Sequence, residues 1–286
     1  MKNAFAREDV RTAAYREVFS EESMLMAATE LGYPVVLKIV DGSGSKGVVV
    51  CRDETTLRAA YAEVQSYTHA SSMVLEQFVD GEEFGAQAYV RDGKLLFTML
   101  HGDLIYRGAS GIPVGHFAPY SSEKSLQEDV EEQLRKCIAA LQIDNCAINA
   151  DFILSDGKVY VLEIGARAGA TCLPELVSEC FGINYYEYIL CGACGLLLPQ
   201  LPAQPLYPAL VFTPFSTQTG VVKGRQIPSC KEVVMCDIYP LIGEEVHAFR
   251  TAYDRIGHLV MRGETMSGLL RVYEEDIQSF PFVTFD

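Results

Sequence analysis

The chain has 286 residues, and 49% of them are aliphatic, aromatic or cysteine, so it can bury a sizeable core in one large domain or two modest ones. Its net charge of −15 argues against general binding to nucleic acid or to an anionic membrane, because both need a broad positive surface. No run of about 18 apolar residues is present, which excludes a predicted membrane-spanning helix, and the first residues lack the apolar core of a signal peptide. An anionic ligand would therefore need a local cluster of cations.

The nine cysteines form an odd set, and several fall in apolar helix or strand patterns. Free thiols in a reducing cytosol explain this better than disulfides, so we predict a cytoplasmic protein. Cys191 and Cys194 have C-x-x-C spacing, but no second pair with zinc spacing exists. We therefore predict a structural role for both.

Helix and strand signals alternate through the first 80 residues. Residues 1–20 are mixed and charged and are predicted as a helix. A second helix opens at Ser20 and stops at Gly32. Residues 34–40 form a predicted buried strand that contains Lys38, and residues 48–51 form the next strand.

A glycine-serine loop, residues 41–47, connects those two strands. A Walker loop would instead have the pattern G-x-x-x-x-G-K-[ST] and open a helix, so it is excluded. A glycine-rich loop between strands can lay its backbone N–H groups over phosphates, and Lys38 beside it would add a point charge. The alternative is a strand-edge lysine that reaches into solvent.

The chain then continues with mixed elements up to residue 142. Asp53 caps a predicted helix that ends near Tyr67, residues 72–76 form a strand, and residues 82–100 form a hairpin around an Asp-Gly turn. Residues 101–119 are weakly patterned and are predicted as a loop. Its ionisable residues include His101, Asp103, Arg107 and His116. They make it either a substrate loop or an ordinary excursion whose histidines are satisfied locally.

The rest of the chain has three predicted helices and then mainly strands. The helices cover residues 122–142, 171–181 and 184–194, and a proline-rich connector follows. The predicted strands cover residues 209–213, 220–223, 233–238 and 258–261, and a last helix covers residues 265–277.

Two strands joined by a turn, residues 149–165, carry the strongest chemical signal. Asp151 lies in the first strand and Glu163 in the second, and Arg167 follows in a glycine-rich segment. Acids inside apolar strands are usually buried against a partner or a metal, and two of them can share a hard cation. The alternative is a surface hairpin with two solvated acids.

Strand alternation sets a condition on this shared site. A two-residue turn would pair Asp151 with Leu162 and leave Glu163 on the opposite face. We therefore predict a loop of three or five residues at Ser155-Asp156-Gly157, which would set both acids on one face.

Five stretches, in the right order and spacing, resemble the ATP-grasp superfamily. A late stretch, residues 256–265, is similar to the terminal strand, turn and helix of the same group. The five stretches are residues 33–38, 41–48, 75–83, 150–154 and 161–169.

The resemblance implies an α+β fold in which two α+β lobes clasp ATP, with a small C-terminal β-rich segment. We expect an N-lobe at residues 1–80 with a glycine-rich lid at 41–47, and a central lobe at 81–200 with the metal hairpin. Residues 206–286 would be an α+β segment packed on the central lobe.

The resemblance also implies roles for individual residues. Asp151 and Glu163 match the Mg²⁺ ligands, Arg167 and Lys38 the catalytic cations, and Glu83 the ligand of the ribose. The segment Glu76, Gln77, Phe78 and Val79 looks like the linker that reads adenine. The expected nucleotide-binding set is completed by Lys2, Lys38, Ser43, Ser45, Lys46 and Gly47.

The chemistry implied is a Mg-ATP-dependent carboxylate–amine ligase of the amino-acid or peptide type. A carboxylate takes the γ-phosphoryl group to give an acyl phosphate, and an amine then displaces phosphate. The expected partners are ATP, a small carboxylate and an amine acceptor, with no nucleic acid and no membrane.

Departures from the family pattern motivate a second hypothesis. Gly165 stands where the family commonly has an Asn ligand, and Asn149 stands where an arginine is frequent. Both changes also occur among members that resemble amino-acid ligases. An N-terminal α/β domain is also expected before such a motif, and a separate domain or subunit could supply it. The alternative is thus a non-catalytic ATP-binding or regulatory subunit, and a phosphotransferase acting on a hydroxyl is a third.

Overall fold

The computed structural model describes residues 1–42, 47–106 and 112–285. The chain divides into two compact units. Unit 1 comprises Met1–Glu82 and Ile153–Leu162, and unit 2 comprises Glu83–Phe152 and Glu163–Asp286.

Unit 1 is built on a four-stranded antiparallel sheet in the order β1-β4-β2-β3. Two helices cover it, and apolar residues such as Met24, Leu57 and Leu75 form the shared core. The elements are α1 (Lys2–Phe5), β1 (Tyr15–Val18), α2 (Glu21–Leu31), β2 (Val35–Ile39), β3 (Val48–Cys51), α3 (Glu54–Gln65) and β4 (Met73–Gln77).

Local capping signals fix the helix ends of unit 1 as predicted. The Ser20 side chain accepts from the backbone N–H of Ser23 in a capping box, and Gly32 ends α2 with φ 76°. Asp53 caps α3 in the same way through Thr56. These contacts depend on neighbours in sequence, which is why the sequence locates them well.

The predicted helix over residues 1–20 is wrong beyond its first turn. Only Lys2–Phe5 is helical, and Tyr15–Val18 is a strand whose ladder with β4 pairs Tyr15 with Glu76 and Val18 with Met73. A four-residue segment gains more from the backbone hydrogen bonds of an exposed sheet edge than from an isolated helical turn.

Unit 2 contains most of an eight-stranded sheet in the order β13-β15-β10-β7-β6-β5-β8-β9. The turn end of the β8–β9 hairpin belongs to unit 1. The elements are β5 (Glu82–Arg91), β6 (Lys94–Ile105), β7 (Pro113–Ala118), α4 (Lys124–Leu141), β8 (Cys146–Ser155), β9 (Lys158–Gly165), α5 (Leu173–Phe181), α6 (Tyr185–Ala193), β10 (Ala209–Phe212), β11 (Gly220–Val221), β12 (Gly224–Arg225), β13 (Val233–Ile238), β14 (Glu245–Val246), β15 (Gly257–Arg262), α7 (Met266–Val272) and β16 (Val283–Thr284).

Both faces of this sheet are buried at β10. Ala209 and Val211 pack into the core beneath α5 and α6, whereas Leu210 and Phe212 pack into the core of the C-terminal segment. Alternate residues of one strand therefore serve two cores. The predicted α+β class is confirmed, and the nine cysteines are free thiols.

The predicted loop over residues 101–119 is largely wrong. Strand β6 runs on to Ile105, and β7 (Pro113–Ala118) pairs with it from Pro113 to Phe117. Glycine made this segment look irregular, yet a Cβ at Gly102 would lie 2.2 Å from the ring of Phe117. The missing side chain is thus a packing requirement inside a sheet.

The predicted three- or five-residue loop in the β8–β9 hairpin is also wrong. Only Asp156 and Gly157 separate the strands, with φ 48° and 71°. Both values are positive, as in a type I′ turn, and Asp-Gly is a favoured sequence for it.

Within the described part of the chain, no helix has the length and apolarity needed to cross a membrane.

Candidate active site

Two lysines and one glutamate meet inside unit 1. Lys38 on β2 is opposite Val74 on β4, so Glu76, two residues further on, lies on the same face. The Lys38 Nζ is 3.0 Å from Oε2 of Glu76, and the Lys2 Nζ is 3.3 Å from Oε1. The carboxylate is 5% exposed and therefore bridges two ammonium groups largely away from water.

Thr12 fixes the position of Lys2, and sequence reasoning missed it. The Lys2 Nζ donates to Thr12 Oγ1 at 2.5 Å, and that hydroxyl donates to the Val161 carbonyl at 2.6 Å. The Val161 N–H in turn donates to the carbonyl of Arg11 at 2.8 Å. The first residues are thereby tied to β9, through contacts that no local pattern encodes.

The segment predicted to read adenine is already partly engaged. The Gln77 N–H donates to the Ala14 carbonyl at 2.8 Å, and the Phe78 N–H donates to the Pro34 carbonyl at 3.0 Å. The Glu76 side chain contacts the two lysines, as described above. Val79 is half-buried, and its role stays a prediction.

Part of the predicted nucleotide-binding set cannot be placed. Ser43, Ser45 and Lys46 lie outside the described residues. Gly47 is described, with φ 72°, and its carbonyl accepts from the Ile39 N–H at 3.1 Å. A Cβ at Gly47 would lie 2.8 Å from the Ile39 side chain, so both backbone angle and space favour glycine there.

Unit 2 brings Asp151, Glu163 and Arg167 together. Burial, the neighbouring Glu163 carboxyl and the charge of Asp103 together raise the pKa of Asp151 to about 8, against an opposing effect of Arg167. The two acids also share a hydrogen bond. One proton shared in this hydrogen bond therefore stabilises the pair, whereas the two carboxylates would repel each other if both were ionised.

This contact exists despite the two-residue turn. An uninterrupted ladder from that turn would put the two side chains on opposite faces, so their contact indicates a register change between the turn and the acids. The Asn149 carbonyl lies 3.9 Å from the Cβ position of Gly165, which fits such a change. The prediction of a longer turn was wrong. The proximity of Asp151 and Glu163, which that turn was meant to explain, is nevertheless present.

Burial differs between the members of this group. Asp151 is half-buried, whereas Glu163 and Arg167 are exposed, so the expectation that both acids are buried is wrong for Glu163. The Arg167 guanidinium donates to the Ala168 carbonyl at 2.8 Å. Glu83, the predicted ribose ligand, is exposed on β5, and its role stays a prediction.

A buried polar network supports the glycine-rich segment after Glu163. Gln87 on β5 donates to the Asn149 side-chain oxygen at 2.6 Å and accepts from the Gly169 N–H at 2.9 Å. A Cβ on Gly169 would lie 2.6 Å from the same oxygen. This network fixes the backbone beyond Arg167, and sequence reasoning missed Gln87.

Two histidines and one aspartate form a further cluster on β6 and β7. Asp103 is paired directly with His116, and the His116 Nδ1 is 2.6 Å from Oδ1 of Asp103. Burial lowers the pKa of His101, so its imidazole is neutral at neutral pH. These three residues therefore lie on paired strands and not in a loop, whereas Arg107 lies outside the described residues. Contact of this segment with a substrate stays a prediction.

Comparison with known proteins identifies the class. The model of the ATP-grasp domain family matches residues 31–175, which is half of the chain. The chain belongs to the ATP-grasp domain family, as predicted.

The relatives include several ligases and synthases. The chain is 27% identical to the C-terminal section of the carbamoyl phosphate synthase large chain of Aquifex aeolicus, over 79% of this chain and 43% of that protein. It is 27% identical to dapdiamide A synthase of Enterobacter agglomerans, over 57% of this chain and 40% of that protein. The chain spans less than half the length of these curated relatives.

The fold is shared with solved structures. Phosphoribosylglycinamide synthetase from Anaerococcus prevotii aligns with a TM-score of 0.80 and 29% identity, covering all of this chain and 72% of that one. L-amino acid ligase from Bacillus licheniformis aligns with a TM-score of 0.79 and 19% identity, covering 99% and 70%. The second likeness concerns the fold alone.

Proposed function

We propose that the protein is a Mg-ATP-dependent ligase that activates a carboxylate as an acyl phosphate for attack by an amine. The observation that carries the proposal is the contact between Asp151 and Glu163, with Arg167 beside them, in a chain of this family. The names of its relatives, carbamoyl phosphate synthase and dapdiamide A synthase, support ligase chemistry with small substrates.

The acid pair fits a divalent cation. A proton now relieves the repulsion between the two carboxyls, and Mg²⁺, which prefers carboxylate oxygen, would relieve it more completely. Asp151 and Glu163 would hold the ion, and a bound Mg²⁺ would supply positive charge for the phosphate groups of ATP. Gly165 offers no side-chain oxygen, so Asp151 and Glu163 would be the side chains that hold the ion.

The cations of the chain would hold the phosphates. Lys38 and Lys2 carry point charges that both pair with Glu76, which offsets one of the two, and both could turn from that carboxylate to phosphate oxygens. The exposed guanidinium of Arg167 could contact the γ-phosphoryl group, because its planar fork matches phosphate geometry.

The proposed reaction needs no side-chain nucleophile. An oxygen of the substrate carboxylate bonds to the γ-phosphorus, and the bond from that phosphorus to ADP breaks. The amine nitrogen then bonds to the acyl carbon, phosphate leaves with the bonding electrons, and the amine proton passes to solvent. Positioning and charge neutralisation supply the rate enhancement.

The test is ADP release with Mg²⁺, ATP and pools of small carboxylates, mostly amino acids, each with and without an amine acceptor. We expect release that needs both the metal and a carboxylate, and an amide product in mass spectra. Binding of a non-hydrolysable ATP analogue without turnover in any pool would favour the regulatory alternative. ADP release that depends on added polyols, and not on carboxylates, would favour the phosphotransferase alternative.

A further inference from the structure

The cluster of His101, Asp103 and His116 is set by strand geometry. His101 and Asp103 are two residues apart on β6 and so lie on one face, and His116 is the direct cross-strand partner of Asp103 on β7. One potential ligand atom from each side chain lies within 4.8 Å of the other two. The strand register between β6 and β7 thus brings two imidazoles and one carboxylate close together.

These side chains are buried with unsatisfied polar atoms. His101 is 1% and His116 5% exposed. Among the described residues, both ring nitrogens of His101 and the Nε2 of His116 have no hydrogen-bond partner. Buried nitrogen atoms without partners are costly, so the arrangement lacks an interaction that a ligand would provide.

The spacing is close to that of a coordination sphere. The His101 Nδ1 is 3.3 Å from Oδ1 of Asp103, although it is not aligned for a hydrogen bond. Two ligands at about 2.0–2.2 Å from one tetrahedral ion are roughly 3.3–3.5 Å apart. The 2.6 Å contact of His116 would open by several tenths of an ångström, and its ring proton would move to Nε2.

Packing around His101 favours this position of the ring. A Cβ on Gly85 would lie 2.2 Å from the His101 Cε1 and 2.4 Å from Nε2. Glycine on the neighbouring strand therefore makes the space that the imidazole occupies.

Charge also favours a cation at this place. Although burial alone would raise the pKa of Asp103, the imidazoles of His101 and His116 hold it well below its usual range, so Asp103 is ionised. The negative charge of Asp103 also raises the pKa of Asp151, one of the two acids of the Asp151–Glu163 pair. No lysine or arginine is paired with Asp103 in the ion pairs of the described residues.

We propose that His101, Asp103 and His116 bind a first-row divalent transition metal of the Zn²⁺ type, at a site separate from the Asp151–Glu163 pair. Neutral imidazole suits such ions, whereas Mg²⁺ prefers oxygen. Three protein ligands leave a coordination position open for water or a substrate group. The site stands independently of the proposed ligase reaction.

The test uses Co²⁺ and Zn²⁺ on the untagged full chain without nucleotide. We expect one Co²⁺ per chain, with weak visible absorption typical of nitrogen and oxygen ligands, and displacement by Zn²⁺. His101→Asn, His116→Asn and Asp103→Asn should each weaken Co²⁺ binding at least about tenfold, because even an outer partner of a metal ligand is worth about 10–100-fold. The control His247→Asn alters an exposed histidine of the same unit and should leave binding unchanged.

Two further variants separate the site from other ligands. Asp151→Asn combined with Glu163→Gln, and Cys191→Ser combined with Cys194→Ser, should both retain the cobalt spectrum. The proposal is overturned if Co²⁺ binding survives in the His101 and His116 variants, disappears in either double variant, or is absent from the wild type. An intense thiolate-to-cobalt band would overturn it as well.

If the histidine variants fail to fold, X-ray absorption of the Zn²⁺-loaded wild type decides. Two imidazole ligands in the scattering pattern support the site, and a shell of oxygen or sulfur alone contradicts it.

Discussion

The charged groups of the two units differ in how far they are neutralised. In unit 1, Glu76 lies between Lys2 and Lys38, so a buried carboxylate already meets two cations. In unit 2, Asp151, Glu163 and Asp103 lie near one exposed arginine, and a proton on Asp151 relieves part of the excess negative charge. Among these groups, positive charges outnumber negative ones in the first region, whereas carboxyl groups outnumber cations in the second, which therefore favours a cation.

This difference determines how each region would respond to its proposed ligand, which is phosphate in unit 1 and a metal ion in unit 2. Phosphate must compete with Glu76 for the lysines, so binding there exchanges one anion for another. A metal at the acids replaces a proton and removes repulsion. Anion affinity should therefore be moderate in unit 1, and cation affinity in unit 2 should depend on pH.

The largest effect is expected from Glu163→Gln, which removes one anionic ligand without changing shape. ADP release with the best carboxylate pool should fall roughly 10²–10³-fold, the cost of losing one preorganised electrostatic group. Steady-state ADP release measures it, and circular dichroism checks folding. Glu187→Gln, an exposed matched control on α6, should keep full activity. Normal turnover in Glu163→Gln would remove this carboxylate from the reaction.

The substitution Lys38→Met tests the unit 1 cluster. Affinity for a non-hydrolysable ATP analogue should fall about 10–100-fold, because a hydrogen bond to a charged group contributes about 1.5–3 kcal/mol. Glu76 would keep Lys2 as its partner, so the fold should survive with reduced stability. Isothermal titration measures affinity and thermal unfolding measures stability. Lys94→Met changes an exposed lysine and should alter neither; equal affinity in both variants would exclude Lys38 from the binding site.

The acid pair should make metal binding depend on pH. Since the pKa of Asp151 is about 8, Mg²⁺ must displace a proton below that pH, and apparent Mg²⁺ affinity should rise up to roughly tenfold per pH unit toward pH 8.

The stability of the metal-free protein should show the opposite dependence on pH. Because the folded-state pKa lies above the unfolded value of about 3.9, the folded protein retains a proton that the unfolded chain has lost. The contribution of Asp151 to stability is therefore present below about pH 4 and is lost as pH rises to about 8. Denaturant unfolding with a chelator measures it. A profile in Asp151→Asn that matches the wild type would contradict the assignment.

The smallest effect is expected from Gly165→Asn. A Cβ there would meet the Arg167 Cγ at 3.5 Å and the Asn149 carbonyl at 3.9 Å, which are ordinary contacts. The new amide oxygen should strengthen Mg²⁺ binding a few-fold, in line with about 0.5–1.5 kcal/mol for one polar contact. Titration of Mg²⁺ compares it with Gly165→Ala, which adds the Cβ without the oxygen. Equal affinities would mean that position 165 does not face the metal.

Local signals allowed much of the fold to be predicted from the sequence. The caps at Ser20 and Asp53, the Asp92-Gly93 hairpin and the helix ending near Gln142 depend on neighbours in the chain. The strand β1 was mispredicted because its pairing with β4 decides its conformation. Strand β7 was missed because Gly102 of β6 and Gly115 of β7, which serve close packing across strands, made the segment look irregular.

The sequence predicted which residues belong to the candidate site better than it predicted the contacts between them. Asp151, Glu163 and Lys38 stand out as charges inside apolar strands. The contact of Lys2 with the Glu76 carboxylate was not predictable, because Thr12 and Val161, which help to position Lys2, are distant in sequence from Glu76. The cluster on β6 and β7 depended on a strand register that the weak pattern of residues 101–119 concealed.

The network of Gln87, Asn149 and Gly169 has a consequence for sequence change. Gln87 and Asn149 satisfy each other, and Gly169 has no room for a Cβ beside the Asn149 oxygen. We therefore expect the three positions to be epistatic. An arginine at position 149 would leave the Gln87 amide without its Asn149 partner and crowd Gly169 unless those positions changed with it. Evolutionary or engineered routes toward that arginine must pass through coordinated substitutions on three separate segments of the chain.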